Sequence, residues 1–432
     1  MVAGTIIGAS IFVQPSEIAR HLDSPAYIML AWAACGVLTL FGAFVCAELA
    51  SAFPQTGGVY VFMREIFSPL AGFLWGWAMF WSVHSGIIAA IAVVFARYAA
   101  VFLPASLQGD LTTRLLAVGV ILALSAVNYA GVRTGSRLQT ALTIAKVVAI
   151  AGLVIAGLMV EAPTLPAVSR ASDVGVTPFV LAMVAGLFAF GGWHMVTYTA
   201  GETVMPARTI PVALVAGVLI VTACYMALNV VYLRLLPLDV IRSSTRIAAD
   251  AADVIFGRGG AQLLSILVIV SAVGSLTGII LTGPRMYFSM AQDGLAPRAL
   301  AFVHPRFQTP SRAIVAQALW ASALAATGGY RQLFTRVIYT EWLFFALLAA
   351  GVFVLRRRAR AEAARTPPPA PRIPPYRAWG YPVVPAVFIA VSLFIVLQQF
   401  IADPLEAIIG MGLVALGAPV YYYVRHANRR LS

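Results

Sequence analysis

Long apolar runs recur along this chain, and they limit its fold more than any motif does. Twelve stretches of roughly 20 residues, the length that crosses about 30 Å of hydrocarbon as a helix, lie near 1–20, 25–51, 69–103, 111–130, 138–160 and 178–201, then 210–235, 262–290, 311–327, 333–355, 381–401 and 405–424. Backbone polar groups in lipid must be satisfied within the segment, which leaves the helix as the solution for such runs. The composition agrees: 61% of residues are hydrophobic and 10% charged, against about 25% charged in soluble domains. The chain is therefore read as an all-α integral membrane protein whose first partner is the lipid bilayer. A net charge of +13 could suggest nucleic acid, but the basic residues lie between the apolar runs, where topology requires them, and no nucleic-acid partner is expected.

Arginine placement sets an orientation. On the side shared by both termini lie 18 arginines, seven of them between 356 and 377, against nine on the other side. The excess predicts cytoplasmic termini and a multi-pass protein of the cytoplasmic membrane. No basic segment precedes the first apolar run, so no cleavable signal peptide is expected. That run is short before its glycines, which points to a start upstream of Met1. Between spans 6 and 7 the link is short, whereas RRRARAEAARTPPPAPRIPPYRAWG follows span 10. The division expected is a ten-helix core at 1–355, a basic and proline-rich tether at 356–380, and two accessory helices at 381–424. Cys35, Cys46 and Cys224 all fall within apolar runs and match no metal-ligand spacing. No disulfide-linked accessory subunit, metal or cofactor is expected, and the chain is read as a monomer or a weak homo-oligomer.

Two spans carry small residues at their centres. Span 1 reads VAGTIIGASIFVQPSEIA, with Gly8-Ala9-Ser10, and span 6 reads VLAMVAGLFAFGGWHMVTYTAGE, with Gly191-Gly192. Glycine lowers the cost of leaving helical geometry. Small residues also let helices pack closely, but two clusters five spans apart are the pattern of inverted-repeat transporters. There, half-helix ends at mid-membrane hold substrate and coupling ion. The expected repeats are 1–160 and 178–355.

The motifs IIGASIF, CAELASAFPQTGGVYVF, FAFGGWHMVTYTAGE, SAVGSLTGIILTGPRMYFSMAQDGLAP and YTEWLFFALLAAGVFVLRRR together resemble the amino acid–polyamine–organocation (APC) superfamily, close to its L-type amino-acid transporter branch. The resemblance covers nearly the whole chain. It implies inverted five-helix repeats (5+5), broken helices 1 and 6, two C-terminal helices, and transport of small amino acids by alternating access. It also implies that the substrate amine meets carbonyls of Ile6, Phe188, Ala189 and Gly191, that the carboxylate meets N–H groups and a hydroxyl at Ala9 and Ser10, and that Gly8 belongs to the same substrate site. A half-helix N-terminus offers free N–H groups and a positive dipole end to an anion. Phe188 is implied as an aromatic gate and Trp193 as pocket lining. The family pattern is glycine-small-glycine in span 1; Ser10 departs from it and brings a hydroxyl and a Cβ to the site.

Charges inside apolar runs are costly and mark function. Lys146 in span 5 is the only lysine among 29 basic residues, about 13 Å along its helix at 1.5 Å per residue, too deep for its head to reach the interface easily. Its expected partners are carbonyls at the span 1 break, such as those of Gly4 and Gly8, and the hydroxyls of Ser271 and Ser275. The resemblance implies that a span 5 lysine takes the place sodium holds in sodium-coupled relatives. A compact ammonium with three donors suits a nest of oxygens, where a planar guanidinium would not fit. A buried ammonium can also surrender its proton, a route to proton coupling. Glu341 in span 10 is expected either to face the pocket, selecting cations or binding a proton, or to sit in a wet outer vestibule. Arg97 reads as an interface anchor, and Glu48 as a structural partner of loop arginines. His194 reads as pocket lining or as a core histidine.

No nucleophile elbow, phosphate loop or carboxylate pair is present, so the chain is not read as an enzyme. The expected activity is sodium-independent secondary transport of amino acids, by exchange or with proton coupling. A polyamine or organic-cation transporter of the same fold, and a transporter-like sensor or channel, are the alternatives.

Overall fold

The computed structural model describes residues 2–131, 133–161, 163, 174–257, 259–327, 330–364 and 376–429. Among them every regular element is helical and none is a strand. Nine helices among the described residues are long and apolar enough to cross a membrane: Pro25–Ala52, Pro69–Phe102, Asp110–Ala130, Thr140–Met159, Val176–Glu202, Pro206–Leu235, Gly260–Gln292, Val383–Ala402 and Ala407–His426. They coincide with expected spans to within a few residues. Three expected spans fall outside that set for visible reasons. The first is interrupted, the ninth is the 17-residue helix Ser311–Thr327, and the tenth falls within Tyr330–Ala363, whose first turns include residues with side chains outside the described set. The prolines of the 356–380 tether lie in 365–375, outside the described residues.

Local chemistry sets where spans begin. Pro25, Pro69 and Pro206 open their helices, at the position where proline's missing N–H would be unpaired anyway. Ser68 accepts a hydrogen bond from the Ala71 amide at 3.2 Å, capping the second of these. Burial then separates inner from outer helices. Of the most apolar stretch of Val176–Glu202, 83% is buried within the protein, and 67% for Pro69–Phe102 and Gly260–Gln292, against 22% for Asp110–Ala130 and Thr140–Met159. Those outer helices present Leu111, Leu115, Val127 and Val148 outward, the lipid-facing surface a membrane bundle needs.

The short helix Val2–Ile6 lies at the centre, packed against Arg133–Met159, Pro206–Leu235 and Gly260–Gln292. Its helical course stops at Ile6, resumes as a 3-10 turn at Ser10–Phe12, and continues as Gln14–Ala19. Span 6 breaks as well: Val176–Ala189 ends, Gly192 takes φ +88°, and a 3-10 segment runs from Trp193 to Glu202. Only glycine adopts that φ without strain, so Gly192 fixes where the second half begins.

Candidate functional site

The two breaks face each other. A Cβ on Gly192 would meet the Thr5 carbonyl at 3.6 Å. Four backbone bonds bridge the span 1 break, from Ile7 to Ala3, Gly8 to Ile6, Phe12 to Ala9 and Val13 to Ser10; none is donated by Ala9 or Ser10. Those are the two amides the sequence offered to a carboxylate. Beyond the break, Arg242 clamps the second half of span 1, donating to the Ala19 carbonyl at 2.9 Å and pairing with Asp23.

In span 6 the run from 182 to 200 is buried except at Gly191, so the break is also where this helix opens to space. The Phe188 carbonyl accepts the Gly191 amide at 3.1 Å. Ile6 and Ala189 are drawn together by a residue the sequence reading passed over. The Tyr225 hydroxyl, from span 7, lies 3.0 Å from both carbonyl oxygens. Its ring is held edge-on by Trp32 and Phe190, with centroids 5.6 and 5.1 Å away. One signal was available: a tyrosine deep in an apolar span must find a partner for its hydroxyl.

Lys146 is 2% exposed. Its Nζ donates to the Ile7 carbonyl at 3.0 Å, to Ser275 Oγ at 2.9 Å and, at 3.5 Å, to the Gly4 carbonyl. Ser275 Oγ lies 3.1 Å from the same Ile7 oxygen, so spans 1, 5 and 8 meet in a closed triangle. Gly274 admits the lysine, since a Cβ there would sit 3.1 Å from Nζ and from Cε. Two expectations change. Ile7, not Gly8, supplies the near carbonyl, because the chain turns out of the helix one residue earlier. The Ser271 hydroxyl is buried without a hydrogen-bond partner; Ser271 contributes only its carbonyl, to Ser275 at 3.2 Å.

Glu341 is 1% exposed, which rules out a wet vestibule in this state. Its Oε1 lies 3.6 Å from His194 Nδ1. Trp75, Trp193, Tyr198 and Phe345 all meet the His194 ring edge-on, with centroids 5.3–5.6 Å away. Trp193 packs its own ring on Phe345 at 4.9 Å and against Gly42, between spans 2 and 10. Glu48 has the structural role read for it. Arg356 donates to both of its oxygens at 2.8 Å and the Ala378 amide to one at 2.7 Å; the carboxylate raises the Arg356 guanidinium above its ordinary pKa. Arg97 lines a cavity of about 420 Å³ with Arg114, Arg246 and Asp110, which none of the candidate site residues borders.

With this geometry in hand, comparison with known proteins identifies relatives. The amino acid permease family matches residues 1–416. The serine/threonine exchanger SteT of Bacillus subtilis (strain 168) is 31% identical across 98% of this chain and 94% of its own length. The human b(0,+)-type amino acid transporter 1 is 28% identical over 98% and 85%. The human cystine/glutamate transporter is 27% identical over 98% and 83%.

Proposed function

The chain belongs to the amino acid permease family of the APC superfamily, near its L-type branch, and from that membership we propose sodium-independent secondary transport by alternating access. Amino acid transport itself follows from the relatives, which are transporters and exchangers rather than enzymes. The finer reading adds twelve spans in a 5+5 inverted repeat with two accessory helices, cytoplasmic termini, and a site between the breaks of spans 1 and 6.

One observation carries it. The Lys146 ammonium bridges the Ile7 carbonyl at the span 1 break and Ser275 of span 8, holding by covalent tether a positive charge that a bound cation would otherwise bring. Among oxygens at these distances an ammonium needs no ion beside it, and like charges would repel one there. The substrate amine then turns to Ile6, Phe188, Ala189 and Gly191 and its carboxylate to Ala9 and Ser10, with Gly8 beside them. Phe188 gates that site and Trp193 backs it. The relatives take different amino acids, from serine and threonine to cystine and glutamate, and a binding screen of the amino acids identifies the one this chain carries.

Purified protein in liposomes should exchange labelled neutral amino acids at the same rate when sodium is replaced by potassium. Uptake that rises with sodium would overturn the assignment of Lys146. Absence of counterflow would favour a sensor.

A further inference from the structure

The His194–Glu341 contact differs from the Lys146 contacts in being left incomplete. His194 is 0% exposed, and neither ring nitrogen has a hydrogen-bond partner; nor has Glu341 Oε1. Around them, Trp75 Nε1 and Tyr198 Oη face each other, so neither supplies the pair with a partner. Buried polar atoms in native proteins are nearly always satisfied, so such a cluster calls for an explanation. Span 3 reaches the same place through a π-helical turn at Met79–Val83, between Trp75 and His84, and such turns recur at functional sites.

Proton count explains the cluster. With one proton between them, imidazole and carboxyl are jointly neutral, either as two neutral groups or as an ion pair. With none, a carboxylate stands alone among four aromatic rings; with two, an imidazolium does. Both are expensive in an apolar surround. The enclosed pair therefore holds one proton and exchanges it only when a gate admits water. Among the described residues, the titratable groups near the pair are Tyr198 of span 6, which interacts with Glu341 and with Cys46 of span 2, and the ring of His84, which acts on His194 and lies 5.6 Å from Tyr198. His84 Nδ1 lies 3.1 Å from the Tyr287 hydroxyl of span 8. A line of proton-bearing groups thus runs from Glu341 through His194, Tyr198 and His84 to Tyr287, which is two residues from the Arg285–Glu202 ion pair. Lys146 is not part of it, since its hydrogens already have acceptors.

We propose that His194 and Glu341 form a proton-carrying site, loaded from one side of the membrane and emptied to the other with each amino acid moved. The proposal rests on the transport reading above and names the coupling that reading leaves open. In mechanism, one proton binds the pair as the site opens to the acidic side. The neutral pair crosses the occluded state with the substrate, and the proton leaves when water enters from the opposite side. The emptied pair, a carboxylate facing a neutral imidazole, recloses at a cost that makes this return leg the slow one.

The test uses the full chain in liposomes with a trapped pH-sensitive dye, with no sodium and with an inward acid gradient. Wild type should move about one proton per labelled amino acid and accumulate it several-fold; Glu341→Gln, and separately His194→Asn, should cut that ratio at least fivefold whatever rate remains, since neither can hold the shared proton. Thermal unfolding of each variant, beside a second substitution His194→Gln, separates loss of coupling from loss of fold. Wild-type counterflow without proton movement would overturn the proposal and leave the transport reading standing. An unchanged ratio in folded variants would overturn it equally. No counterflow in wild type would remove both.

Discussion

Two buried ionisable stations sit near the breaks of this bundle, and they are built on opposite principles. Around Lys146 the ammonium's own bonds are complete: the Ile7 carbonyl, Ser275 Oγ and the Gly4 carbonyl accept from it, and Ser275 links back to Ile7. Around His194 and Glu341 little is engaged, and four aromatic rings stand where acceptors and donors would. A charge whose hydrogen bonds are complete stays as it is, because changing its state forfeits all of them. A pair whose bonds are incomplete gains by changing state whenever water arrives. The bundle therefore holds one fixed charge, which joins helices, and one labile proton, which the proposed cycle moves.

The largest effect that can break this contrast lies at Lys146. Lys146→Ala removes two close charge-assisted bonds, each worth about 1.5–3 kcal/mol, and should lower initial uptake by about 100-fold. The thermal midpoint should move by only a few degrees, because the remaining helix contacts are apolar and intact. Lys146→Arg should not rescue it, for even a Cβ at position 274 would lie 3.1 Å from the ammonium, and a guanidinium is wider. Uptake within a few-fold of wild type in either variant would make the lysine an incidental bridge.

How far the two stations could be read in advance differs for a physical reason. Lys146 announced itself: one lysine in a chain that otherwise uses arginine, inside an apolar run, with its partners sought in spans 1 and 8 on the strength of a resemblance. What sequence could not give was the residue at which span 1 leaves its helix, so Ile7 replaced Gly8. The helices themselves were legible because apolar length is a one-dimensional property. His194 and Glu341 were each noticed, but their pairing was not. They are separated by most of the second half of the chain, and no periodicity relates a residue just past one break to a residue on span 10. Only packing brings them to 3.6 Å. Tyr225 was hidden in the same way: its partners are backbone carbonyls, which leave no mark in a sequence.

A middle-sized effect belongs to Tyr225, which stands between the stations. Its hydroxyl occupies the Ile6 and Ala189 carbonyls, two of the four assigned to the substrate amine. Its single hydrogen is shared between these two oxygens, so it competes there with an arriving substrate ammonium. Tyr225→Phe keeps the ring packing and deletes that competitor, and with one hydrogen bond worth about 1 kcal/mol net, KM should fall about fivefold. A rise in KM instead would mean that the hydroxyl serves the loaded state, and the carbonyl pair would then need another reading.

The smallest effect gives the sharpest discrimination, because it compares two serines one helical turn apart. Ser275 both accepts from Lys146 and donates towards Ile7, whereas the Ser271 hydroxyl touches neither. Ser275→Ala should slow uptake about fivefold, the order of one partly compensated hydrogen bond. Ser271→Ala removes a buried hydroxyl that is already unsatisfied, so it should leave uptake within about twofold and raise the thermal midpoint slightly, since such a group costs roughly 1–3 kcal/mol to bury. Equal losses in the two variants would show that Ser271 turns to the ammonium in another state of the cycle. Lys146 would then change partners during transport, and the division between a fixed charge and a labile one would fail at the station whose bonds are complete.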